Sequence, residues 1–395
     1  MKIAHVITRM IVGGAQENTL LTVIGLKNRK HDVLLISGPS TGPEGSMEAD
    51  VKKHGISFIL VPQLVRNINP LYDVIAFVKL GMIFRRHKFD IIHTHSAKAG
   101  FIGRIAGKIF SRKSKIIHTL HGSSFYQYQS ALAKFCYMMS EKIAGFCTDY
   151  FISVSSIILE RYLNRGIGKK EKSCVIRSGF EVEKYKVVLE SSQGIRNKLG
   201  IGKQDILIGM IGRLFPLKGQ EYLLRVFAKI AGDYPNTNLV LVGDGILKES
   251  FERFVKQLRL QERVHFTGLV EPEKIPYFAS AIDIGVHTSL REGLPRAVVQ
   301  ILAAGKPVIA FDIDGAREVI KDGLNGFLVA AKDELALEKR LRFLIEHPEE
   351  AKRMGERGQK MVLEEFSVDK MLAEIEKVYF NIWKKHFYHN NKRFE

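Results

Sequence analysis

The stretch Ile208-Gly-Met-Ile-Gly-Arg213-Leu-Phe-Pro-Leu-Lys218-Gly219 decides the fold. An apolar run of strand character breaks at a glycine, and a segment with helical spacing follows at 222–231, so the unit reads strand, turn, helix. The turn carries two cations, Arg213 and Lys218. When such strands lie parallel, the turns that follow them collect at one edge of the sheet, where α/β sheets take their ligands. Two cations held there suit a diphosphate leaving group, whose negative charge grows as the bond to it breaks. Read alone, the segment fits equally well two basic residues that fall near a strand end by chance.

The same unit recurs outward in both directions. Strand-like runs lie at 2–8, 33–37, 91–93, 115–119, 150–154 and 174–176, then at 207–211, 239–242, 264–266, 284–287 and 308–310, with helical segments between them. This alternation predicts an α/β fold with two parallel sheets and crossover helices, facing one central cleft. A polar, glycine-containing stretch from Ser178 to Asp205 separates them, giving domains at 1–180 and 181–367. The remainder, 368–395, reads as a closing helix and tail, with Met371, Ile375, Val378, Tyr379 and Ile382 at helical spacing. A chain of 395 residues with 46% hydrophobic content exceeds what one core usually serves.

A second chemical signal stands further along, at Ser289-Leu-Arg-Glu-Gly-Leu-Pro-Arg-Ala-Val-Val-Gln300. Pro295 suits the first turn of a helix, whose free N–H groups and partial positive charge favour phosphate. Glu292 would then stand beside whatever the diphosphate carries, although an ordinary surface helix with a proline start fits too. Gly243-Asp-Gly245 reads as a turn, and the loop that reaches Val270 could hold a base through its backbone.

In the first half, Gly13-Gly14-Ala15-Gln16 follows a strand and precedes a helix at 17–26. Glycines there allow close approach to a phosphate or sugar, or form a plain tight turn. His93, His95, His118 and His121 lie just beyond strands, so three or four imidazoles are expected on one rim. His-X-His can suggest a metal, but the carboxylates of a metal hydrolase are missing nearby, and no metal is expected. Arg104, Lys108 and Arg112 share a helical stripe within 101–112, next to the apolar Phe101, Ile102, Ile105 and Ile109. The segment 74–84 is strongly apolar and ends in Arg85-Arg86-His87-Lys88. It reads either as a helix on a membrane interface or as a buried crossover helix with a cationic end.

Charge narrows the partners. The net charge is +18, and residues 1–180 hold 26 Lys+Arg against 11 Asp+Glu, so nearly all the excess belongs to the first half. Such a half suits an anionic membrane leaflet or a nucleic acid. The basic residues are not interleaved with aromatic platforms as in a nucleic-acid module, so no nucleic acid is expected. No window offers the roughly 20 apolar residues of a spanning helix, and the start has no signal-peptide layout. Cys136, Cys147 and Cys174 show no metal or redox spacing, and the chain is placed in the cytoplasm, peripheral on the inner face of the membrane.

Five motifs occur in one order: Gly13-Gly14-Ala15-Gln16, Asp90-Ile-Ile-His-Thr-His-Ser-Ala-Lys-Ala-Gly100, His118-Thr-Leu-His-Gly122, Gly212-Arg213 with Lys218-Gly219, and Glu292-Gly-Leu-Pro295 with Ala303-Ala-Gly-Lys-Pro307. In them the chain resembles the retaining glycosyltransferases of family 4, which have the GT-B fold. That resemblance implies two Rossmann-like domains facing a cleft, with the C-terminal helix packing back on the N-terminal domain.

It also implies a donor site in the second domain for a nucleotide-diphosphate sugar, with no separate cofactor. Arg213 and Lys218 would clamp the diphosphate, Glu292 with the backbone of Gly293 and Leu294 would hold the sugar, and Pro295 and Val270 would line the same site. His121 matches the histidine near the reacting sugar, and Gly13 and Gly14 match the loop that closes over the phosphates. His95, Lys98, Arg104, Lys108 and Arg112 fall in the half that presents the acceptor or meets the membrane. The reaction would retain anomeric configuration without a metal. One departure is Gln300, where the family usually has a second glutamate that accepts from ribose hydroxyls; a glutamine carbonyl accepts them without charge assistance.

The expected reaction moves a sugar, from a UDP sugar, to a polyprenyl-diphosphate-linked acceptor in surface-glycan assembly. A small soluble acceptor is the alternative within the same chemistry, and a basic nucleic-acid-binding protein the alternative outside it.

Overall fold

The computed structural model describes residues 1–41, 45–185 and 189–391, with side chains for these apart from 189–191 and 385–391; the expected tail at 392–395 lies outside the described residues. Two compact units make up the chain, Met1–Phe180 together with Val368–Glu395, and Glu181–Ser367. Among the described residues no helix is long and apolar enough to cross a membrane.

The first unit holds strands β1 Lys2–Arg9, β2 Asp32–Gly38, β3 Ser57–Leu60, β4 Ile91–His95, β5 Lys115–Leu120, β6 Tyr150–Ser153 and β7 Ser173–Val175. They pair in parallel in the order β3-β2-β1-β4-β5-β6-β7. The second unit holds β8 Ile206–Ile211, β9 Thr237–Val242, β10 Val264–Phe266, β11 Ile284–His287, β12 Val308–Phe311 and β13 Gly326–Val329, parallel in the order β10-β9-β8-β11-β12-β13. Each order reverses beside its first strand, so each unit has one switch point, between β1 and β4 and between β8 and β11. Loops leaving the C-terminal ends of the strands diverge there and open a crevice.

Two strands escape the sequence reading, β3 and β13, each four residues long and each at a sheet edge. On β3 the residues are half-buried or exposed, which weakens its apolar signal, whereas β13 is mostly buried but is only four residues long and opens on a glycine. Gly326 opens β13 because a Cβ would lie 2.2 Å from the Val308 carbonyl oxygen on β12.

The period of two sorts each strand's side chains between faces. On β1, Ile3 and Ile7 join a core with Leu20, Val23 and Leu26, while Ala4 and Val6 join another with Ala76, Leu80 and Phe84. The C-terminal helix Val368–Asn391 closes the first face, inserting Met371, Leu372, Ile375, Val378 and Tyr379. Each such burial contributes about 1.5–3 kcal/mol. Gly25 permits the approach, since a Cβ there would lie 2.1 Å from Leu372 Cδ1, and Glu376 is tied to Arg29 at 2.5 Å and His31 at 2.8 Å.

The helix Pro70–His87 has apolar residues on both a buried and an exposed side. Ala76, Leu80, Gly81 and Phe84 face the core, whereas Leu71, Val74, Val78 and Met82 form an exposed row on the other side.

The expected basic stripe on the next helix, Ala97–Phe110, needs correction. Lys108 and Arg112 are exposed, but Arg104 is fully buried. Its guanidinium donates to Glu141 Oε2 at 2.7 Å and to the Gly100 carbonyl at 2.8 Å, and Ser124 donates to the other Glu141 oxygen. Four residues of helix return Arg104 to the stripe of Lys108, yet the partner that draws it inward comes from Ala131–Phe146, a helix remote in sequence. Breaking a buried pair strands the remaining charge. Arg104→Ala is therefore expected to lose about 3–5 kcal/mol in denaturant unfolding, while Lys108→Ala and Arg112→Ala stay within about 0.5 kcal/mol of the parent.

Candidate active site

In the second unit, two loops at the switch point fold onto each other. The loop after β8 turns at Gly212 and ends at Gly219, whose left-handed φ of 77° precedes the helix Gln220–Ile230. The loop after β11 runs from Thr288 to Pro295 and leads into the helix Arg296–Ala303. Pro295 precedes this helix as its cap, one residue earlier than the expected first turn.

Backbone contacts fasten the loops together. Leu290 N donates to the Leu217 carbonyl at 2.8 Å and Thr288 Oγ1 donates to the Gly219 carbonyl at 2.7 Å. A Cβ on Gly219 would lie 2.0 Å from the Thr288 oxygen, so this position combines a positive φ with no room for a side chain. The buried Gln220 closes the first loop from inside by donating to the Arg213 carbonyl at 2.9 Å. From a third strand end, after β12, Asp314 accepts a bond from Glu292 N at 3.0 Å.

This scaffold brings Lys218 and Glu292 together, with Nζ and Oε1 2.5 Å apart and side chains 24% and 16% exposed. His287 Nε2, at the end of β11, lies 3.3 Å from the same oxygen. Burial alone would push the Glu292 carboxyl up, but the Lys218 ammonium and the neighbouring His287 overcome it and hold the group well below the usual carboxylate range. Glu292 is thus a fixed anion suited to accept hydroxyl protons in hydrogen bonds. Arg213 leaves the same loop, its guanidinium 5.1 Å from the centre of the Phe215 ring.

Five other expected donor residues lie in the second unit. Gly293 and the buried Leu294 and Pro295 continue the Glu292 loop, and Gln300 is half-buried on the helix that follows. Val270 is half-buried in the loop beyond β10. His287 and Asp314 belong to the site and were not expected there. Each did leave a trace, a histidine closing an apolar strand and an Asp-Gly pair just past the next one.

The first unit has its own assembly at the switch point between β1 and β4. His121, half-buried in the loop after β5, lies 3.0 Å from His95, which lies 3.0 Å from His5. The expected cluster changes in membership. His118 points to the other face, where its Nδ1 is 2.9 Å from Thr94 Oγ1 and its ring packs on Gly100, while His5 enters from β1. His95 is 1% exposed and cannot present a surface to an acceptor. Lys98 is also withdrawn, paired with Asp73 at 2.5 Å and donating to the Asn67 carbonyl. Gly13 and Gly14 start the helix Gly14–Asn28, with Gly14 exposed.

The Lys218–Glu292 pair makes a signed prediction for pH. Because the folded carboxyl lies below its unfolded value of about 4.3, the pair stabilises the protein above that value and is lost only as pH falls through the lower folded one. In Lys218→Met only His287 still opposes burial, so the carboxyl titrates higher than in the parent and contributes less stability as pH rises. The unfolding free energy of the variant, read from denaturant titrations at each pH, should therefore fall further behind the parent between pH 4 and 8, the deficit reaching about 1–3 kcal/mol.

Comparison with known proteins agrees with this division. Residues 12–184 match the family model described as Glycosyltransferase Family 4, and residues 191–361 match Glycosyl transferases group 1. The chain is 29% identical over 339 residues to the UDP-Gal:alpha-D-GlcNAc-diphosphoundecaprenol alpha-1,3-galactosyltransferase of Escherichia coli, covering 84% of this chain and 85% of that one. It is 31% identical to an uncharacterized 41.2 kDa protein in the cps region of Klebsiella pneumoniae, covering 68% and 72%. Anabaena Alr3699/HepE, solved in complex with UDP, superposes with a TM-score of 0.81 at 23% identity, covering 96% of this chain and 100% of that one. Two parallel-sheet units in this order give the GT-B fold, and the chain belongs to the family 4 glycosyltransferases.

Proposed function

We propose that this glycosyltransferase moves a sugar from a UDP sugar to a polyprenyl-diphosphate-linked acceptor, with retention of configuration and without a metal. The observation that carries the donor half is the Lys218–Glu292 pair at the switch point of the second unit. A cation and a fixed anion side by side match a substrate that is itself divided, with a diphosphate at one end and a hydroxyl-bearing ring at the other. Lys218 and Arg213 would stabilise the charge growing on the departing diphosphate, and the N–H groups at the start of Arg296–Ala303 would add to them. Glu292 would hold the ring hydroxyls. A carboxylate kept far below neutral pH is a poor proton acceptor, so the acceptor's proton is assigned to the departing phosphate oxygen, on the face the new bond forms.

The acceptor half draws on surface chemistry and on the Escherichia coli relative, whose name specifies a diphosphoundecaprenol acceptor. The exposed row Leu71, Val74, Val78 and Met82 runs into exposed Arg85, Arg86 and Lys88. Leu132, Phe135, Ile143 and Phe146 are exposed on Ala131–Phe146, and Lys108 and Ile109 on the helix between, with Arg112 just past its end. Apolar rows flanked by cations suit the interface of an anionic bilayer, and this face replaces the stripe that included Arg104.

Two experiments test the reading. Release of UDP across a panel of UDP sugars should select one donor, persist in EDTA, and fall by roughly 100-fold in Glu292→Ala with the fold retained; near-parental turnover would remove Glu292 from the site. Flotation with anionic liposomes should carry the protein upward, and Val74→Glu with Val78→Glu should abolish this while donor hydrolysis continues. Recovery of the parent entirely in the soluble fraction would favour a soluble anionic acceptor.

A further inference from the structure

The loop that begins with His121 is tied down by a buried charge. It joins β5 to the helix Ala131–Phe146, and its hub is Ser124, three residues past His121. Ser124 Oγ donates to Glu141 Oε1 at 2.9 Å. Ser124 N donates to the Tyr162 hydroxyl oxygen at 3.2 Å, and that hydroxyl donates to Ser124 Oγ at 3.2 Å. Glu141 and Tyr162 are 2% and 1% exposed. Arg104 bonds the other Glu141 oxygen at 2.7 Å, so three helices, Ala97–Phe110, Ala131–Phe146 and Ser156–Leu163, each send one buried side chain into this network. Phe125 adds a ring contact with Tyr162, the centroids 5.0 Å apart. Beyond the hub the loop closes on itself, where Gln129 Nε2 donates to the Ser124 carbonyl at 3.1 Å and Gln129 Oε1 accepts from Tyr126 N at 2.9 Å. Ser130 then caps Ala131–Phe146 by accepting from Ala133 N at 3.3 Å.

We propose that Ser124 is a positioning residue for His121, and that the Arg104–Glu141 pair serves to hold it. The burial of charge argues for this. An apolar pair of similar volume is often as stable as a buried ion pair or more so, but it would offer nothing to a loop. An ionised carboxylate only accepts, so Glu141 commits the Ser124 hydroxyl proton, and the Ser124 oxygen accepts from Tyr162. Burial first and the Glu141 charge second push the Tyr162 phenol above its ordinary value, so it keeps the proton that this bond needs. The N–H, hydroxyl and carbonyl of Ser124 are all bonded, and one buried charge sets the direction of the hydroxyl. On the other side of His121, Leu120 pairs with Ser153 on β6. The histidine therefore stands on the short span 121–123, held at both ends.

The functional part of this proposal rests on the reading of His121 as a residue at the reacting sugar. The test uses the full chain and combines amide hydrogen exchange with the kinetics of UDP release from the UDP sugar that the panel selects. In the parent, the amides of Ser124, Tyr126 and Gln129 should exchange slowly, since each is hydrogen-bonded. Ser124→Ala should speed exchange across 121–130 by about 10-fold, leave 131–146 unchanged, and lower kcat by about 10- to 100-fold with KM unchanged. Ser124→Thr keeps the hydroxyl and should restore both readings to the parental level. Tyr162→Phe removes both bonds between that side chain and Ser124 and should repeat the Ser124→Ala result; if it fails to fold, the two Ser124 variants still decide. Parental exchange in Ser124→Ala overturns the proposal, as does a loss of kcat without faster exchange, a rise in KM at parental kcat, or an equal loss in Ser124→Thr. Parental turnover in His121→Ala would instead overturn the reading of the site, while hydrogen exchange still decides whether Ser124 orders the loop.

Discussion

The cover that Val368–Asn391 places over one face of the N-terminal sheet is the contact on which most of this unit depends. Five apolar side chains from that helix complete a core whose other members come from the first half of the sequence. The same cover excludes water from His5, His93 and His95, and a buried imidazole must find its hydrogen bonds within the protein. Core and buried histidine cluster are therefore two results of one packing event. Arg29 and His31 fix the helix from the side through Glu376, with charge-assisted contacts at the rim of an apolar interface.

The second unit solves a different problem. There a cation and an anion must stay ordered near solvent without a helix to cover them. Backbone does this work. Gly219 lies against Thr288 and Gly315 against Gly293, each with a carbonyl oxygen where a Cβ would be. Loops meeting at main-chain contact leave little freedom for the residues between them. Lys218 and Glu292 are held from three strand ends, which is a tighter constraint than either loop could impose alone.

Much of this was legible in the sequence. Eleven of the strands announce themselves as apolar runs between turns, and the residues of the second site stand in short motifs with the spacing of strand ends. What stayed hidden depends on pairing across the sheet or on partners far away in sequence. His5 looks like any residue of a first strand until β1 is known to lie beside β4. Arg104 has the helical spacing of an exposed basic stripe, and only Glu141, 37 residues on, reverses that reading. Asp314 acts through its side chain on the backbone of another loop, a contact that local patterning cannot express. Composition likewise marked the segment at 74–84 as strongly apolar, but not that one row would meet the core and the other solvent.

The first unit is finished by the last segment of the chain. During synthesis, the ribosome releases all of β1 to β7 long before residues 368–379 exist, so the sheet's apolar face must wait while the whole second unit is made. Domains usually fold as units in the order in which they emerge; here the first unit cannot complete its core until the intervening unit has been made. The exposed face of the waiting sheet is then the stage at which this protein most needs protection from aggregation.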